Sequence, residues 1–114
     1  KLRNGDTTLE LVRCDVAAIP MQSNSVDFVN AGAAMHCWPD VPTGLLEIHR
    51  ILRPGGKYFA STFLSKYFKA ISSEGAYNDF ESKEMMESLL RNAGFSTVFV
   101  EILGAGCVII RCEK

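Results

Sequence analysis

No apolar run in this sequence reaches the roughly 18 residues that a membrane-spanning helix needs. There is no basic excess either. Twelve Lys and Arg stand against thirteen Asp and Glu, for a formal charge of −1. Proteins that track phosphates along nucleic acid, or that bind anionic membrane surfaces, are normally cationic, so both classes lose weight. No Cys-x-x-Cys pair occurs, and His36 and His49 are not at zinc-ligand spacing from Cys14, Cys37, Cys107 or Cys112, so no metal site is expected. Cys14 and Cys107 fall in apolar strand-like runs, where cysteine packs as a small hydrophobe, so buried, reduced thiols and an intracellular reducing compartment are expected. The start, Lys1 to Asp6, is polar and has no signal-peptide core. Residue 1 is not Met, so a processed chain or a piece of a longer one is expected. Most telling, no G-x-G-x-x-G turn or similar phosphate- or nucleotide-cradling loop is present.

What is present is one globular domain. The chain has 114 residues, 47% of them hydrophobic and 22% charged, which excludes disorder and allows a single core. Residues 9–13 alternate apolar and polar and read as a strand that ends at Asp15. Residues 26–31 are mostly apolar, as in a buried strand, and run into the small residues Gly32, Ala33 and Ala34. Leu45, Ile48, His49 and Leu52 share one face of a helix over 42–52, which Pro54-Gly55-Gly56 should stop. Residues 57–63 are rich in strand formers. Leu64, Tyr67, Phe68 and Ile71 have helical spacing. Ser82 is a plausible cap for a helix over 83–92, and Gly94 a stop. Residues 96–102 and 106–112 read as strands of a hairpin turned at Gly104-Ala105-Gly106. The alternation means an α/β fold with a largely parallel sheet and one antiparallel edge.

Three segments then stand together: Leu-Val-Arg-Cys-Asp-Val-Ala-Ala-Ile-Pro-Met (11–21), Ser-Val-Asp-Phe-Val-Asn-Ala-Gly-Ala-Ala-Met-His-Cys-Trp-Pro-Asp (25–40) and Leu-Leu-Glu-Ile-His-Arg-Ile-Leu-Arg-Pro-Gly-Gly-Lys-Tyr (45–58). With Ala-Gly-Phe at 93–95, they resemble the second half of a class I S-adenosylmethionine-dependent methyltransferase. The likeness is to small-molecule enzymes of the ubiquinone/menaquinone type (methyltransferase type 11). Ala-Gly-Ala-Ala-Met-His-Cys-Trp is similar to plant and algal plastid members. The resemblance implies an incomplete Rossmann-like sheet. The family order is third, second, first, fourth, fifth, seventh, sixth strand. Residues 9–13 would be the third strand and 26–31 the fourth. The first two strands, the glycine-rich turn and the second-strand acid are not in this sequence. An unpaired edge beside 26–31 is therefore expected, open to self-association or a partner. With their neighbours missing, residues 9–13 should be detached, mispaired or swapped into another molecule.

The resemblance also implies S-adenosylmethionine as cofactor and a small-molecule methyl acceptor. It makes Asp15 the carboxylate that accepts from the adenine amino group, with Val16 beside the ring. It sets the backbone of Ala31 and Gly32 against the methionine part. A turn Asp and tight packing are the structural alternatives at these positions. His36 lies past the 26–31 strand and is a candidate general base, with a structural histidine as the alternative. His49 reads as a core histidine. Trp38, Tyr67, Phe68 and Tyr77 are candidate walls for a flat or apolar acceptor, with core packing as the alternative. Two functional readings follow. One is methyl transfer by the parent protein, the 114 residues alone being inactive. The other is a non-catalytic interaction module that pairs through the open edge. A nicotinamide enzyme lacks its fingerprint here. The location implied is the cytoplasm or a plastid.

Overall fold

The computed structural model describes residues 8–65, 78 and 80–114. Strand β1 spans Val26–Gly32, helix α1 Val41–Ile51, strand β2 Leu52–Phe63, helix α2 Lys83–Asn92, strand β3 Thr97–Leu103 and strand β4 Cys107–Glu113. A short 3-10 turn at Met35–Cys37 follows β1. The sheet order is β1-β2-β4-β3. β1 pairs with β2 in parallel, and β4 is antiparallel to both β2 and β3. This is the fourth, fifth, seventh, sixth run that the resemblance implies; of the three pairings β1–β2 alone is parallel, and the antiparallel strand β4 lies inside the sheet rather than at the expected edge.

Local chemistry explains the boundaries. Asp40 caps α1, its carboxylate accepting from Thr43 N at 3.1 Å, and Pro42 sits in the first turn, where its missing N–H costs nothing. Ser82 caps α2 by accepting from Met85 N at 3.1 Å, as the sequence predicts. α1 ends one residue earlier than expected, because Leu52 already turns into β2. The Pro54-Gly55-Gly56 run does not precede the strand but bulges within it. Val26 pairs with Leu52 and Phe28 with Lys57, so residues 53–56 oppose Asp27 alone. Gly56 is required there, since a Cβ would come within 2.8 Å of the Arg53 carbonyl oxygen.

The period-2 pattern puts Tyr58, Ala60 and Thr62 of β2 and Val108, Ile110 and Cys112 of β4 on one buried face. Tyr58, Ala60 and the three β4 residues join Leu45 and Ile48 of α1 and Met86 and Leu90 of α2 in one core. The other face is largely bare. Phe28, Phe99 and Leu103 are 57%, 46% and 47% exposed. The Arg111 guanidinium lies over the Phe59 and Phe99 rings at 5.7 and 5.5 Å, partly shielding them. β1 is itself only half-buried, unlike a parallel strand covered on both sides.

Residues 9–13 do not form the expected strand. They lie outside the sheet with Leu9, Leu11 and Val12 exposed. The alternating pattern has no ladder here, because the neighbours of a third strand are not among the 114 residues. Detachment is one of the three outcomes the missing strands predict. Cys14 and Cys37 are exposed, Cys107 is half-buried and Cys112 buried, and all four are free thiols. Cys14 was expected to be buried and is not, since the strand that would bury it is absent. The helix expected over 64–71 lies mostly outside the described residues. Among those described, no helix is long and apolar enough to cross a membrane.

The one-sided sheet sets a stability contrast between neighbours. Ile110→Ala, at a fully buried site, should cost about 2–4 kcal/mol. Ile109→Ala, on the bare face, should cost less than about 1 kcal/mol. Urea unfolding of both variants measures the difference. Equal costs would mean that the bare face is covered in solution.

Candidate functional site

At the carboxyl end of β1 the chain enters a left-handed turn. Ala33 has φ of +50°, a conformation that costs a side-chain-bearing residue roughly 1 kcal/mol or more. The turn is held from β2, where Ser61 Oγ accepts from Ala33 N at 2.9 Å. Gly32 is exposed, and a Cβ there would meet only Asn30 Oδ1 at 3.7 Å and Ser61 Oγ at 3.9 Å. Packing within the chain does not require glycine at this position. Ala31 beside it is half-buried.

Asp15 and Val16 form a separate turn. Asp15 Oδ1 accepts from Ala17 N at 2.8 Å, and its carbonyl accepts from Ala18 N at 2.9 Å. The residue therefore does act as a turn aspartate. Its Oδ2 has no hydrogen bond within the described chain, and the side chain is exposed. Val16 is half-buried. A Cβ at Gly44 of α1 would fall 2.9 Å from Trp38 Cε3 and 3.4 Å from Val16 Cγ1. Trp38, Gly44 and Val16 thus meet, and they join the Asp15 turn to the segment after β1.

Two charged residues hold that arrangement, and the sequence reading passed over both. Glu47 Oε1 accepts from Ile19 N at 2.9 Å. Arg50 donates to Glu47 Oε2 from Nε at 2.6 Å, and from its terminal nitrogens to the Ile19 and Met21 carbonyls, each at 2.8 Å. The hydrogen bonds from Arg50 and Ile19 hold the Glu47 carboxyl below its ordinary value. The loop from Ile19 to Met21 is clamped to α1 through side chains some thirty positions away. The i, i+3 spacing of Glu47 and Arg50 was the available signal, but such pairs usually lie on a solvated face.

His36 is not at an open mouth. It is 7% exposed, its ring edge-on to Phe63 at 5.2 Å between centroids. Nδ1 is 3.0 Å from Thr62 Oγ1. Burial lowers its pKa and keeps the ring neutral. His49 packs edge-on to Phe95 at 5.1 Å, as a structural histidine does. An open cleft of about 410 Å³ lies beside Asp40, Pro42, Asn78, Met85 and Leu89, between the start of α1 and α2. It contains none of Asp15, Val16, Ala31 or Gly32, so it lies apart from the residues that the resemblance assigns to the cofactor. Tyr67, Phe68 and Tyr77 lie outside the described residues. Among those described, no cluster of three metal-ligating side chains occurs.

Residues 1–60 match the family described as a methyltransferase domain, and the chain belongs to that family. It is 55% identical over 56 residues to an uncharacterized chloroplastic methyltransferase of Arabidopsis thaliana, covering 49% of this chain and 16% of that protein. It is 29% identical over 117 residues to the demethylmenaquinone methyltransferase of Oceanobacillus iheyensis, covering 79% of this chain and 49% of that one. The chain spans about half or less of these relatives. In fold it superposes on an S-adenosylmethionine-dependent methyltransferase of Mesorhizobium loti with a TM-score of 0.77 at 15% identity, covering 97% of this chain and 72% of that one. A phosphoethanolamine N-methyltransferase of Haemonchus contortus, solved with S-adenosyl-L-methionine, gives 0.75 at 17% identity, over 89% of this chain and 36% of that one.

The Arg50 clamp predicts a local failure. Arg50→Lys cannot reproduce the planar fork, so limited proteolysis should cut within 15–23 while β2–β4 stay protected. The two histidines predict a pH response. Burial lowers both pKa values, and Lys114 adds repulsion at His49. The unfolded chain then takes up protons that the folded chain refuses. Stability is full above about pH 6.5 and falls as the pH drops below it, which urea midpoints at pH 7.5 and 5.5 will measure.

Proposed function

We propose that the protein of which these residues form part transfers a methyl group from S-adenosylmethionine to a small-molecule acceptor, and that the 114 residues alone do not. The observation that carries this is the strained turn after β1, set beside the Asp15-Val16 turn through Trp38 and Gly44, in a chain of the methyltransferase family. The residues present fit one side of the cofactor. The free Oδ2 of Asp15 is an acceptor for an adenine amino group, with Val16 against the ring. The bare, small backbone at Ala31 and Gly32 allows close approach of the sulfonium side. The glycine-rich turn that would hold the rest is not in this sequence. Bound, the cofactor supplies an already activated methyl group. The protein's work is then alignment and water exclusion, which needs no obligatory catalytic side chain.

A general-base role for His36 requires the tautomer in which Nδ1–H donates to Thr62 Oγ1, so that Nε2 is the nitrogen that takes the proton. Burial lowers the His36 pKa and so favours the neutral ring, the form a base requires. In a chain carrying the complete domain, His36→Gln should lower turnover about 100-fold or more if the ring takes the proton, and far less if it is a wall. A plastid location follows the chloroplastic relatives and is likewise our inference.

Calorimetry tests the main reading. The 114 residues should show no saturable binding of S-adenosylhomocysteine at high micromolar ligand. Extension through the preceding half of the domain should restore it. Asp15→Ala in that longer chain should weaken binding about tenfold, the loss of one hydrogen-bond acceptor. Micromolar binding by the 114 residues would overturn the argument. A longer chain that still fails to bind would favour the second reading, an interaction module that pairs through the β1 edge.

A further inference from the structure

Asn78 reaches across about forty positions to the turn after β1. Its Nδ2 donates to the Trp38 carbonyl at 2.6 Å and to the Met35 carbonyl at 3.1 Å, with a longer contact to the His36 carbonyl at 3.4 Å. Its backbone N donates to the same His36 carbonyl at 2.9 Å. An amide has two N–H donors, and the Asn78 Nδ2 contacts all fall on carbonyls of this turn and of its capping residue Trp38. The turn is too short to satisfy its own carbonyls. Its internal bonds are Cys37 N to Ala34 O at 2.9 Å and Trp38 N to Met35 O at 3.2 Å. From the sheet side, Thr62 meets His36 at 3.0 Å. The turn is therefore pinned from β2 by one side chain and from the segment leading into α2 by another.

We propose that Asn78 is a positioning residue that fixes the Met35–Trp38 turn as the acceptor-side wall of the site, the acceptor entering the open cleft that Asn78 lines with Pro39, Asp40 and Pro42 directly after that turn. This rests on the methyltransferase reading above. The residues assigned to the cofactor, Asp15, Val16, Ala31 and Gly32, make no hydrogen bond with Asn78. Trp38 is the lever. Its carbonyl takes the shortest of the Asn78 bonds, and its ring lies on Gly44. Releasing the carbonyl frees the wall without touching the ladder of β2 and β4. The sequence offered no sign of this, because Asn78 sits in a polar run that reads as loop.

The test uses Asn78→Ala and Asn78→Asp in the chain carrying the complete domain. Asn78→Asp keeps the shape and turns a donor into an acceptor facing three carbonyls. Amide hydrogen exchange should accelerate at least tenfold at Cys37 and Trp38 in both variants, and more in Asn78→Asp. Exchange in β2 and β4 should hold, and the Kd for S-adenosylhomocysteine should stay within threefold. Turnover on whichever quinol, phenol or amine of a small-acceptor panel the wild type methylates should fall through a raised KM. Unchanged exchange at Cys37 and Trp38 would overturn the proposal. Equal acceleration throughout the sheet, or loss of cofactor binding with it, would also overturn it by making Asn78 a prop for the whole fold. If the wild type fails to bind S-adenosylhomocysteine, the methyltransferase reading and with it the acceptor wall fall, whereas the exchange data still show whether Asn78 holds the turn.

Discussion

The guanidinium of Arg50 ties together parts of the chain that no ladder connects. From the middle of α1 it holds Glu47 and the carbonyls of Ile19 and Met21, while Glu47 takes the Ile19 N–H. The described residues before β1, 8–25, have no regular secondary structure beyond the Asp15–Ala18 bridge. Among the described residues, this clamp holds the Ile19–Met21 stretch to α1, while Asn24 N and Ser25 N donate to the Arg50 and Ile51 carbonyls at the loop's far end. The planar fork matters because it satisfies two separate carbonyls and a carboxylate at once. Trp38 then completes the link by lying between that turn and α1 at Gly44.

The second organising constraint is that only one face of the sheet is covered. Both helices and the apolar stripe of β2 and β4 form a single core. On the other face Phe28, Phe99 and Leu103 form an exposed row, with the Arg111 guanidinium over the Phe99 ring. The free edge of β1 adjoins that row. Such an edge and face are what a further layer of the same domain, or a partner, would use. The relatives, which are about twice as long or longer, have the length for such a layer.

Much of this fold was legible from local signals. The hairpin showed itself through Gly104-Ala105-Gly106, and each of its strands is displaced by a single residue from expectation. Ser82 and Gly94 bracketed α2. The segment at 9–13 misled, because alternation reports a half-buried strand only when a neighbouring strand exists to pair with it. Pro54-Gly55-Gly56 misled differently, since a bulge and a turn use the same residues. At the site, the small residues after β1 were visible in sequence, but the strain at Ala33 was not. Asn78, Thr62 and the Glu47–Arg50 pair were missed because their partners lie 26 or more positions away. Side-chain reach across the fold leaves no periodic trace.

Trp38 is the only tryptophan in the sequence, and it rests on Gly44 beside Val16. The indole is thus a native fluorophore at the junction of the Asp15–Val16 turn and α1. Its emission colour and quenching would report solvent entry, ligand arrival or collapse of that junction without any attached label. The same glycine contact makes the signal local, because the ring edge has no slack toward α1. A change in its light would speak of this one corner of the molecule.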